Sequence, residues 1–345
     1  MKVLLTCALL CGAAIAEQTT SAQQTSAVSV EPWKTLVRET VTVNAGRAQE
    51  YNFPLEAGTK LTTLFHVEGG IDNSIQVFLL DSANYQLYTA HRKFLTHAGT
   101  AGVVRSIGKY DFVIPRDDVY YLLVDNGHAL LLPRQVTLHV DAILPHGTPD
   151  SEKAREAFQG LYSRLKQTFV FPDFHTSIRH CGVENAFSNP NITICVELLE
   201  ELQSSNVAAV TAFVYFHELG HSLMKEWGLP MWDNEDDADE FATALLLMMK
   251  QKGMALEAAQ WWASQGATPR DAVAKIWMND RHSLSPQRAR NIISWVNNAN
   301  DIVPRWERVF VPNMQTPALQ TMLHEVSASD RDIVAAELSR RGSQH

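Results

Sequence analysis

Apolar residues along this chain follow two rhythms, and the change between them falls near residue 145. From about Thr35 to Ile143 they come in short alternating runs: Glu39–Val43, Glu50–Phe53, Lys60–Val67, Ser74–Leu80, Gln86–Ala90, Lys109–Ile114, Val119–Val124 and Gln135–Val140. Turn-forming clusters separate them, among them Asn44–Ala45–Gly46, Glu56–Ala57–Gly58, Gly69–Gly70 and Asp125–Asn126–Gly127. A period of two buries one side of a strand and leaves the other to solvent. Short strands at regular spacing predict an all-β sandwich of about eight strands, jelly-roll-like, over residues 35–144.

Leu144–Pro145–His146–Gly147–Thr148–Pro149 has the composition of a domain boundary. Beyond it, Ala154, Phe158, Leu161, Leu165 and Phe169 recur at helical spacing, with Asp150 or Ser151 placed to cap the helix. Further helices are expected at Val196–Gln203, Val207–Lys225, Glu235–Lys252, Ala255–Ser264, Pro269–Trp277, Pro286–Asn297 and Pro317–Arg340, the last broken near Ser327. Ile192–Thr193–Ile194–Cys195 reads as a strand. Residues 150–345 are therefore a second, mainly α, α+β domain.

Composition narrows the function classes. The chain has 345 residues, 46% apolar and 19% charged, which suits two cores rather than disorder. A net charge of −9 and no basic stripe exclude a nucleic-acid partner. Met1–Lys2, the apolar run Val3–Ile15 and Ala14–Ile15–Ala16 form a secretory signal peptide over residues 1–16, cleaved after Ala16. Residues 17–34 read as a flexible leader. No later run is apolar and long enough to cross a membrane, so the mature protein is expected to be secreted or periplasmic. Cleavage leaves Cys181 and Cys195, and in an oxidising compartment an isolated pair is most simply one disulfide. Metal ligation by the two is the alternative.

The chemistry centres on Phe213–Leu223, an apolar stretch carrying His217, Glu218 and His221. On a helix the two imidazoles stand one turn apart on one face, able to share a zinc ion, with Glu218 placed to take a proton from water. The five-residue motif also arises by chance, so a third ligand has to be found. Gly228–Leu229–Pro230 should end this helix, and the next begins near Glu235 with five acids in six residues. Early carboxylates complement a helix dipole without any metal. Five of them exceed what a cap needs, and Glu235 and Asp239 lie one turn apart. Glu235 as ligand, with Asp239 accepting an imidazole N–H, is chemically sensible, with Asp236 or Asp239 as alternative ligands.

His-Glu-x-x-His followed by Glu-x-x-Ala-Asp resembles the gluzincin metallopeptidases, and the wider pattern is similar to the bacterial DUF4344 metallopeptidase family. The matching pieces are Cys181–Gly182, Asn185–Ala186–Phe187, Ile194–Leu198, His217–His221, Glu235–Ala242, Asp280–Ser283, Gln287–Arg288 and Asn291–Ile292, spanning about residues 150–310. The chain departs from the pattern at Ser188 and Val196, where Tyr is usual, and at Ser294, where Cys is.

The resemblance implies a zincin-like fold with one zinc ion per chain and a peptide or protein substrate. The substrate would pair with a sheet edge around Ile192–Cys195. It also implies His282 as an oxyanion stabiliser, with Asp280 orienting it and Arg288 supporting the site. The other reading of Asp280–Pro286 is a loop capping the next helix. Val119–Asn126 resembles a late strand of jelly-roll modules that contact glycans, surfaces or a neighbouring domain; a passive folding partner is the alternative. Two functions follow: a zinc metallopeptidase with Glu218 as general base, or a binding or inhibitory protein on the same scaffold.

Overall fold

The computed structural model describes residues 27–70, 72–97, 102–129, 131–181, 183–204, 208–265, 285–325 and 328–343. Residues 1–16, expected as a signal peptide, leader residues 17–26, the helix expected at 269–277, and Asp280 and His282 lie outside the described residues. The chain divides into two compact units, Glu31–Glu152 and a second formed by the residues up to Val30 together with Lys153 onward.

The first unit contains β2 (Trp33–Val43), β3 (Ala48–Leu55), β4 (Lys60–Glu68), β5 (Ser74–Leu80), α1 (Ser82–Thr89), β6 (Gly102–Arg105), β7 (Ile107–Val113), β8 (Asp118–Asp125) and β9 (Arg134–Ile143). Its two antiparallel sheets run β2–β9–β4–β7 and β3–β8–β5–β6. β2 pairs with β9, β3 with β8, β4 with β7 and β5 with β6, so the pairs are nested like one long hairpin rolled into two layers. That is a jelly roll, as the period-two pattern predicts. The inward residues alternate as they must: Leu61, Phe65 and Val67 on β4, Ile75, Val77 and Leu79 on β5, Tyr120, Leu122 and Val124 on β8, and Val136, Leu138 and Val140 on β9 form one core.

One element of this unit differs from the sequence reading. Gln86–Ala90, expected as a strand, lies in and just beyond α1. Asp81 caps that helix by accepting a hydrogen bond from the Asn84 backbone N–H at 2.8 Å. Tyr85 and Tyr88, three apart, fall on one helical face and stack on each other, and Tyr85 stacks on Tyr121 of β8.

The second unit holds a four-stranded sheet, β1 (Val28–Val30), β10 (Thr176–Arg179), β12 (Asn191–Cys195) and β11 (Ala186–Asn189) in that spatial order. Around it come α2 (Pro149–Thr168), α3 (Val196–Ser204), α4 (Ala208–Glu226), α5 (Glu235–Met248), α6 (Lys252–Gln265), α7 (Ser285–Asn297), α8 (Ala299–Phe310), α9 (Thr316–Glu325) and α10 (Ala328–Gly342). The unit is thus α+β and mainly helical.

Two corrections bear on the site. The stretch read as a leader, 17–34, contains β1 and the first residues of β2; β1 pairs in parallel with β10, Val28 and Val30 offering β-branched side chains to the sheet. The strand proposed as a substrate-facing edge, β12, is paired on both sides, with β10 and with β11. Its hydrogen-bonding groups are used, so the open edge beside it is β11, where Phe187 is exposed. Cys181 and Cys195 form a disulfide that ties the segment after β10 to the end of β12. A helix not expected from the sequence, α8, buries Ile302, Trp306 and Phe310 at four-residue spacing despite an internal Pro304.

Candidate metal centre

The site grows from the packing of α4 on α5. Gly228, at φ +71°, ends α4: the Gly228 N–H donates to the Lys225 carbonyl at 3.0 Å and the Leu229 N–H to the Met224 carbonyl at 2.9 Å. This left-handed stop satisfies the last carbonyls and turns the chain back. Asn234 then caps α5, its side chain accepting from the Asp236 and Asp237 backbone N–H groups at 2.9 and 3.1 Å. The two helices approach closely at Gly220, where any Cβ would lie 2.9 Å from the buried Phe241 ring.

This return path brings Glu235 against both histidines. His217 Nε2 lies 3.1 Å from Glu235 Oε2, His221 Nε2 lies 3.3 Å from the same oxygen, and the two Nε2 atoms are 3.2 Å apart. Side-chain exposure rises from 2% at His217 to 12% at His221 and 18% at Glu235, so the group opens to solvent on the carboxylate side.

The other ring nitrogens fix the tautomers. His221 Nδ1 is 2.6 Å from the Trp232 carbonyl, which can only accept, so Nδ1 carries the proton. His217 Nδ1 is 2.8 Å from Asp239 Oδ1 and donates to that carboxylate. In the neutral rings both Nε2 lone pairs then face the Glu235 oxygen. Three acceptors converging on one point call for a cation, and His217, His221 and Glu235 form a group able to hold a metal ion.

Charge around the group points the same way. Burial alone would raise the Asp239 carboxyl, but the Arg288 guanidinium and His217 outweigh it and hold it well below the usual carboxylate range. Arg288 Nε and Nη2 reach the two Asp239 oxygens at 2.8 and 2.6 Å. Burial opposes a charge on His221 as well, yet Glu235 and the Trp232 carbonyl lift its pKa above the ordinary value. Glu218, next to His217 on α4, is buried. Its charge adds to the upward shifts of both His221 and Arg288.

Among the residues singled out from sequence, the structure gathers His217, Glu218, His221, Glu235, Asp239 and Arg288. Asp236 and Asp239, the alternative ligands, are not part of the three-atom group, Asp239 lying against His217 Nδ1 instead. Three contributors went unnoticed in the sequence. The Trp232 carbonyl is a backbone group and carries no side-chain signal. Gly220 matters only because Phe241 faces it. Trp262 lies under the Arg288 guanidinium, 4.3 Å from ring centre to Cζ.

Fold and site together define a jelly-roll unit followed by a helical α+β unit bearing a His-His-Glu group able to hold a metal ion. Residues 151–302 match the DUF4344 family, described as "Putative metallopeptidase", and the chain carries that domain. No curated protein matches the chain.

Likeness to solved structures is slight. A periplasmic inhibitor of g-type lysozyme from Aeromonas hydrophila, PliG, is 11% identical with a TM-score of 0.21, covering 33% of this chain and 96% of that one. A protein of disulfide-linked Bacillus endospore appendages is 11% identical with a TM-score of 0.20, covering 37% and 99%. The IMPa metallopeptidase, solved in complex with T-antigen, is 11% identical with a TM-score of 0.19, covering 89% of this chain and 45% of that one. At such scores none bears on fold or function. Among the described residues no helix is long and apolar enough to cross a membrane.

Proposed function

We propose that this chain is an exported zinc metallopeptidase, with His217, His221 and Glu235 holding the ion. The observation that carries this reading is the triangle of acceptor atoms with edges of 3.1, 3.2 and 3.3 Å, both Nδ1 atoms being engaged elsewhere. Nitrogen and oxygen ligands ~2.0–2.1 Å from a tetrahedral zinc ion stand about 3.3–3.4 Å from one another, so the donor set fits with shifts of a few tenths of an ångström. Two imidazoles and a carboxylate also match zinc better than the oxygen-only sets of calcium and magnesium.

A bound zinc ion would supply Lewis acidity, acidifying water and polarising the scissile carbonyl. The residues of the chain do the rest. Glu218, one position from His217, accepts the proton of the attacking water and returns it to the departing amine. Asp239 and the Trp232 carbonyl keep both rings in the Nδ1–H tautomer, so that neither ring turns its lone pair away. The open edge of β11 supplies main-chain groups with which an extended peptide pairs. Export places Cys181 and Cys195 where a disulfide persists.

The test is paired. Glu218→Gln should retain stoichiometric zinc while peptide cleavage falls by ~10²–10⁴-fold. His217→Ala should lose the metal. Full cleavage by Glu218→Gln, or metal-free wild-type protein after zinc loading, would refute the proposal.

A further inference from the structure

We infer that Arg288, held flat by Trp262, is a positioning residue that fixes the metal-facing nitrogen of His217 by clamping Asp239. The inference rests on the metal reading above for its consequence, although its geometry stands without it. Asp239 Oδ1 receives two donors, His217 Nδ1 at 2.8 Å and Arg288 Nη2 at 2.6 Å, while Oδ2 receives Arg288 Nε at 2.8 Å. A fork that grips both oxygens fixes the plane of the carboxylate, not only its place. With the plane fixed, the remaining lone pair on Oδ1 dictates how the imidazole stands.

The guanidinium is fixed in turn. Its Cζ lies 4.3 Å from the Trp262 ring centre, and Trp262 packs edge-to-face on Phe213 at 5.2 Å. Phe213 is one helical turn before His217 on α4. The contacts therefore run from α4 through α6, α7 and α5 and return to α4 at the metal-facing ring. Arg288 donates two hydrogen bonds to Asp239, and that carboxylate is the group through which it orients the His217 ring. A lysine could not copy this, since a compact ammonium offers no planar fork and stacks poorly on an indole.

The experiment measures two things in wild type, Arg288→Gln, Arg288→Lys, Asp239→Asn and the Asp239→Asn/Arg288→Gln double variant. The first is zinc affinity by competition with a chromogenic chelator. The second is the tautomer of His217 in the zinc-free protein, read from long-range nitrogen–proton NMR correlations. Arg288→Gln should weaken zinc binding ~10-fold or more, the range seen when an outer hydrogen-bond partner of a metal ligand is lost. It should also convert a single Nδ1–H tautomer into a mixture, and Arg288→Lys should fall between the two.

The double variant should bind zinc no more weakly than Asp239→Asn, because Arg288 works through that carboxylate. Wild-type affinity and an unchanged tautomer in Arg288→Gln would overturn the inference, as would additive losses in the double variant. Removing Arg288 alone leaves a buried anion uncompensated. Should that variant fail to fold, Arg288→Lys keeps the charge without the fork and decides by the same two readouts. Wild-type protein that takes up no zinc would refute the metal reading, and the tautomer measurement would still judge the clamp.

Discussion

Gly220→Ala should damage the centre although it adds only a methyl group to a helix. The new Cβ would lie 2.9 Å from Phe241 Cδ1 and 3.1 Å from Cγ, where an ordinary contact is 3.4 Å or more. The ring cannot swing aside, since it is fully buried and packs edge-to-face on Trp306 at 5.4 Å and Phe310 at 5.1 Å. α4 and α5 must therefore part by about 0.5 Å. His217 and His221 flank Gly220 on one helix, and Glu235 and Phe241 share the other, so the donor triangle opens by a similar amount.

Metal sites tolerate ligand distances within about 0.2 Å of ideal, so zinc affinity should fall ~10–100-fold. Stability moves less. Overpacking costs roughly 1–3 kcal/mol, and the better helix propensity of alanine offsets about 1 kcal/mol of it. The net is a loss of about 0–2 kcal/mol, or a fall of up to about 8 °C in Tm for a unit of this size. Thermal unfolding of the zinc-free protein and chelator competition measure the two effects separately. A Gly220→Ala protein with wild-type zinc affinity and a raised Tm would refute the close-approach argument.

Two further outcomes test the fold of the second unit. Replacing both Cys181 and Cys195 with Ser opens a loop with a sequence separation of 14, which chain-entropy arguments value at about 3 kcal/mol. Tm should fall, and a reducing agent should lower wild type towards the variant without affecting the variant itself. Glu337 accepts hydrogen bonds from Arg340 and Arg341, and these hold its pKa at about 2 against an ordinary 4.5. A depressed carboxylate contributes stability above its unfolded pKa and loses it as pH falls through the folded one. The Tm difference between wild type and Glu337→Gln should therefore be full at pH 6, shrink below pH 4.5 and vanish near pH 2. A difference independent of pH would refute the ionic account.

Much of the architecture was legible because periodicity is a local property. Strands that bury one side alternate, and the strands expected around β4, β5, β8 and β9 are the ones that form the core. Helix ends were legible for the same reason: Gly228 stops α4 and the acidic run opens α5. Local signals failed where two readings compete over few residues. Gln86–Ala90 reads as a short strand, yet the Asp81 cap and a sheet face for Tyr85 favour a helix. α8 was missed because Pro304 masked its four-residue spacing, although Ile302, Trp306 and Phe310 carry the signal.

The amino-acid sequence by itself determined the two units, the α4 helix with His217, Glu218 and His221 on it, and Glu235 and Asp239 as the carboxylates to watch. All of these depend on residues near one another along the chain. Tertiary structure alone decided which atoms meet. β12 is interior because β11 pairs with it, and no property of β12 announces that partner. Arg288 reaches Asp239 from 49 residues away, and His221 is oriented by a backbone carbonyl that any residue could provide. Gly220 is required only because Phe241 presses against it. A metal centre needs three donors at fixed separations, and separation between distant residues is set by how helices pack.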